Sequence, residues 1–181
     1  MRIETVKQLQ EKNAVRQREW DTNDDIDLAY RGNELAGEVG EACNVMKKLA
    51  RERLGIRGSR ATVEQLAEEL ADVVICSSLI ANSEGIDLAE EYALYGPVKF
   101  NNRDVSLPVR GNMLTVSTAR VCDLVLKAPF KSFNPAKLAI TLSNLCGYVG
   151  VIAAAENIDL DQAVAAKFNN TSVKVGLKTR M

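Results

Sequence analysis

The chain has 181 residues, 46% hydrophobic and 26% charged, with a formal net charge of -1. That balance suits one compact domain or two small, tightly packed halves, and it offers no basic field to draw the protein to nucleic acid or to an anionic membrane. Histidine is absent, which removes the usual general base and zinc ligand, every Ser-His or Cys-His nucleophile pair and the Glu-x-x-His pairs of a di-iron bundle.

Chemistry must therefore rest on carboxylates, lysine or metal. The opening stretch MRIETVKQLQEKN has no apolar signal core, and no stretch is expected to run apolar long enough to span a bilayer, so a cytoplasmic setting is expected. Residues 3 to 20 read as a polar amphipathic helix ending near Trp20, broken by DTNDD. A second helix runs from about Asp27 to Arg53, and GIRGSR is a loop. Thr62 with Gln65 forms the pattern of a capping box opening a third helix to about Ser83. EGID is a turn, and Asp87 caps a fourth helix that meets YGP at residues 95 to 97. The prolines, Pro97, Pro108, Pro129 and Pro135, fall at helix ends or connections, and the separated Cys43, Cys76, Cys122 and Cys146 read as reduced core residues. With no alternating strand pattern, the fold class expected is all-α.

The chain repeats itself. EGIDL at 84 to 88 returns as ENIDL at 156 to 160, and KFNN at 99 to 102 returns at 167 to 170. One constant offset lays Asn33, Leu35, Cys43 and Lys48 on Asn112, Leu114, Cys122 and Lys127; a second lays Leu66, Leu70 and Ala81 on Leu138, Leu142 and Ala153. The halves divide at RDVSLPVRG, residues 103 to 111. Under this alignment Glu34, Glu38 and Glu41 become Met113, Ser117 and Arg120, while Glu69 and Asp72 become Thr141 and Asn144. Losing five acids while keeping KFNN and the core leucines points to one lost site, so only the first half keeps the chemistry.

On a helical wheel Glu34, Glu38 and Glu41 fall within about 60° of one another, beside a core stripe of Leu35, Val39, Ala42 and Met46. Their stripe runs on into Val45, and that of Glu69 and Asp72 into Cys76 and Leu79 or Ile80. An exposed acidic face would not lead into aliphatic residues, so the carboxylates are expected to face one another at the mouth of the bundle. Two readings fit: oxygen ligands for a hard cation, Mg²⁺ or Mn²⁺, or surface charge paired with Lys47, Lys48 and Arg51.

GEVGEACNVMKK followed by EELADVV resembles the MazG-like all-α nucleoside triphosphate pyrophosphohydrolases, marked by E-E-x-x-E on one helix and E-x-x-D on the next. Glu38, Glu41, Glu69 and Asp72 match, and Gly37 replaces the first acid, as in the branch that looks like dCTP pyrophosphatases. The resemblance covers residues 1–103, with a degenerate echo over 104–181. It implies a four-helix-bundle fold whose two fused repeats form a pseudo-dimer, and it leaves open a homo-oligomer built from such chains.

It also implies a small-molecule nucleotide substrate, a pyrimidine dNTP or, by the same chemistry, a damaged nucleotide or a guanosine alarmone. Against this stands a non-catalytic helical partner that kept the fold. The charge balance leaves no nucleic-acid or membrane partner expected. Hydrolysis would fall between the α- and β-phosphates, with Mg²⁺ held by Glu38, Glu41, Glu69 and Asp72, and Glu38 or Glu41 taking the proton. Glu34 stands as a further ligand or a water-holding acid. By the same resemblance Lys99, Asn102 and Arg103 lie near the phosphates and Trp20 near the base, against the plainer readings of a helix end and of core packing. Lys167, Asn170, Lys174, Lys178 and Arg180 form either a phosphate-closing tail or a solvated terminus.

Overall fold

A computed structural model describes residues 1–96 and 105–181, and among them every regular element is a helix. These are α1 (Ile3–Trp20), α2 (Leu28–Arg53), α3 (Val63–Ser83), α4 (Leu88–Tyr95), α5 (Leu107–Val125), α6 (Pro135–Ala155) and α7 (Leu160–Lys174). The expected boundaries of the first four hold, and those of α2, α3 and α4 start at caps that are encoded locally. The Asp27 and Asp87 side chains accept from the Tyr30 and Glu90 amides, and Thr62 and Gln65 close both arms of a capping box. Pro108 and Pro135 open α5 and α6, where a missing N–H costs nothing.

One buried apolar cluster takes side chains from all seven helices, among them Leu9, Leu35, Leu70, Leu88, Leu114, Leu142 and Phe168. Helix α6 is apolar and long enough to cross a bilayer, contrary to the expectation that no segment would be. Its composition has another cause: α3, α4 and α5 all pack on it, and a helix covered on several sides reads apolar nearly all round.

The packing is reciprocal. Helix α2 pairs with α3 as α5 pairs with α6, and α3 crosses to α7 as α6 crosses to α4. The α2–α5 seam repeats residue by residue: the Cys43 thiol donates to the Gly111 carbonyl at 3.5 Å, and the Cys122 thiol to the Gly32 carbonyl at 3.6 Å. A Cβ on Gly32 would meet Val125, and one on Gly111 would meet Met46. The offset that matches Cys43 with Cys122 also matches Gly32 with Gly111 and Met46 with Val125. Residue i thus touches j while the residue at the same offset from i touches the one at the same offset from j. The turns agree, since Gly85 after α3 and Asn157 after α6 both take the left-handed conformation, at φ 65° and 57°. Among the described residues no helix between α4 and α5 repeats α1, which packs on α3 and α4.

Candidate functional site

Helices α2 and α3 bury Leu35, Val39, Ala42 and Met46 against Leu66, Leu70 and Val73, which turns the neighbouring stripes of both helices toward each other. One carboxylate oxygen from each of Glu38, Glu41 and Glu69 lies within 4.8 Å of the others. Glu41 is exposed and the other two are half-buried. Below them Val45, Cys76, Leu79 and Ile80 are buried, as the stripes required, and form an apolar floor.

The electrostatics follow from that placement. Burial, then the charges of Asp72, Glu41 and Glu69, push the Glu38 carboxyl up to about 7, against a smaller pull from Lys167. Burial raises Glu69 and Asp72 as well, with Lys167 opposing in both. Asp72 is not in the three-acid cluster. One turn beyond Glu69, its Oδ2 accepts from the Lys167 ammonium of α7 at 2.7 Å. Burial alone would lower the Lys167 pKa, but the Asp72 bond and the charges of Glu69 and Glu68 outweigh it and raise it. A lysine of α7 therefore offsets part of the acidic charge gathered on α2 and α3.

Glu34 goes elsewhere. Its carboxylate accepts from the Arg31 guanidinium at 2.8 Å, and Arg31 also bonds Gln17. Among the described residues no ion pair joins the acids to Lys47, Lys48 or Arg51; Arg51 donates to Ser59 instead. Trp20 is 47% exposed, so core packing does not describe it. It lines a cavity of about 170 Å³ together with Arg16, Gln17, Arg31, Glu34 and Leu177. Asn170 is exposed and borders, with Lys167, a groove of about 330 Å³ between α3 and α7. Lys99, Asn102 and Arg103 lie outside the described residues.

Two residues that sequence reasoning passed over matter here. Arg16 and Arg31 are 9% and 2% exposed. Arg16 donates to the Phe168 carbonyl at 3.2 Å and to Asn13 at 3.1 Å, with its guanidinium 3.8 Å above the Phe168 ring. Arg31 lies 5.6 Å from the Trp20 ring. The signal was present, since Asn13 and Arg16 continue the buried face of Val6 and Leu9. The C-terminal residues do not fray. The Glu19 carboxylate accepts from the amides of Lys178 (2.8 Å) and Thr179 (3.3 Å), and Asn169 exchanges two hydrogen bonds with the backbone of Met181.

Three acids this close repel unless a proton or a cation intervenes, and an all-carboxylate donor set suits a hard divalent ion better than a soft one. The Trp20 cavity adjoins this cluster through Glu34, one helical turn before Glu38. Comparison with protein-family models, with curated proteins and with solved structures gave no match.

Proposed function

We propose that the protein is a Mg²⁺-dependent nucleoside triphosphate pyrophosphohydrolase, converting an NTP or dNTP to the monophosphate and pyrophosphate, with a pyrimidine dNTP as the favoured substrate class. The observation that carries this reading is the convergence of Glu38, Glu41 and Glu69 from two helices, with Asp72 one turn on. These four acids would hold Mg²⁺, or Mn²⁺ in its place. Bound there, the ion supplies charge neutralisation of the triphosphate and a lowered pKa for water.

The chain's own groups supply the rest. With no histidine in the chain, Glu38 or Glu41 accepts the proton of the attacking water. Oxygen attacks the α-phosphorus, the bond from that phosphorus to the bridging oxygen breaks, and pyrophosphate leaves. Lys167 brings positive charge to the phosphates, the apolar floor keeps water from the far side of the acids, and the Trp20 cavity takes the nucleoside.

The reciprocal α2–α5 contacts, the matched turns and the crossing of α3 to α7 support reading residues 1–103 and 104–181 as two copies of one unit, docked as a pseudo-dimer with one working site. Lys167 on Asp72 is how the second copy serves the first. A panel of NTPs and dNTPs with Mg²⁺ or EDTA, scored for pyrophosphate and for the nucleotide product, tests the reading. Metal-dependent monophosphate formation is expected. No turnover by folded protein on any nucleotide refutes it and leaves a non-catalytic helical protein.

A further inference from the structure

The reciprocal packing places a groove between α5 and α6 where the acidic cluster stands between α2 and α3. Its charge is reversed. The counterparts of Glu38, Glu41, Glu69 and Asp72 are Ser117, Arg120, Thr141 and Asn144. The α5–α6 groove encloses about 630 Å³ and is lined by Arg120, Lys137, Thr141 and Asn134, among others. Its one acid, Asp123, is already paired with Lys127. Among the described residues the guanidinium of Arg120 and the ammonium of Lys137 have no hydrogen-bond or ionic partner, although they line the same groove from neighbouring helices.

Both cations border one groove, and an anion set between them would gain charge-assisted hydrogen bonds from each. The planar fork of Arg120 matches phosphoryl oxygens, and the Asn134 side-chain N–H₂ adds a donor, its oxygen capping the Lys137 amide at 3.0 Å; the Thr141 hydroxyl already donates to the Lys137 carbonyl at 2.6 Å. Lys137 sits in the first turn of the 21-residue α6, whose positive end favours negative charge nearby. The volume exceeds what a single small ion needs and suits a chain of phosphates.

We propose that the α5–α6 groove is a metal-independent site for a polyphosphate anion, free or carried by a nucleotide, recognised by Arg120 and Lys137. This holds whether or not the first-half acids are catalytic. The test is titration calorimetry of the full chain in EDTA at low salt, with inorganic pyrophosphate as the probe and dCTP as competitor. One equivalent of pyrophosphate per chain is expected. The pair Arg120→Glu and Lys137→Glu should weaken binding by at least about tenfold, and so should Arg120→Gln with Lys137→Gln, which adds no negative charge. All four changes fall at exposed positions, so the helices survive them. Competition by dCTP makes a nucleotide the carrier, and its failure to compete makes the ligand the inorganic anion. Absence of binding by the unaltered chain, or undiminished binding by the Gln pair, overturns the proposal.

Discussion

Replacing Glu38 by Gln should stabilise the protein above neutral pH while removing its activity. The folded-state pKa of Glu38 rises from 4.5 to about 7, so the folded form binds the proton more tightly than the unfolded chain. Stability from this group is complete below pH 4.5 and is lost as pH climbs through 7. A rise of that size corresponds to about 3 kcal/mol as a ceiling. Glu38 is half-buried, and solvent screening brings the expected loss to about 1–2 kcal/mol. Glutamine keeps the shape of the protonated acid and cannot ionise. Urea unfolding in EDTA at pH 4.5 and pH 8 should therefore show the two proteins equal at the acid end and the variant more stable, by about 1–2 kcal/mol, at the alkaline end. Parallel pH profiles for the two would refute the account of Glu38 as an uncompensated buried acid. Added Mg²⁺ should narrow the gap at pH 8, since the protein with all four acids binds the ion more tightly than the variant with three.

Lys167→Met should cost about 1–3 kcal/mol in the same unfolding assay, because it leaves Asp72 without its partner at a partly buried site; a cost under about 0.5 kcal/mol would reduce the bridge to a surface pair. Glu41→Gln and Asp72→Asn should each lower turnover on the best nucleotide by about a hundredfold or more with the helical circular dichroism unchanged, and near-normal rates in both would remove the metal-site assignment. Gly37→Ala should raise stability by about 0.5–1 kcal/mol, since nothing lies within 4 Å of the added Cβ and the helix interior favours Ala. Gly32→Leu should lower it by about 1–3 kcal/mol, because the first added carbon already meets Val125 Cγ1 at 3.0 Å.

The local features were legible because local residues determine them. Thr62 with Gln65, Asp27 and Asp87 mark helix starts within four residues, and the stripe from Glu38 to Val45 fixes which side of α2 meets α3. What was not legible is which helix of one half meets which helix of the other. The sequence reads Lys167 as part of a closing tail or a solvated terminus; it lies inside α7, and only the crossing of α3 to α7 brings it to Asp72. Glu34 was grouped with Glu38 and Glu41 by angle alone, and Arg31, one turn earlier on the same helix, claims it first. The reciprocal pair of Cys43 with Gly111 and Cys122 with Gly32 was visible as matched letters; that each cysteine reaches the opposite glycine needs the three-dimensional seam.

On the proposed pseudo-dimer that seam is self-complementary, yet both of its sides are encoded in one polypeptide. Between two identical chains, each change would appear on both sides at once, and docking would weaken on dilution. Here the encounter is intramolecular and concentration-independent. Gly32 and Gly111, or Glu41 and Arg120, can also change one at a time, so one side is free to drift to the opposite charge while the other keeps its own.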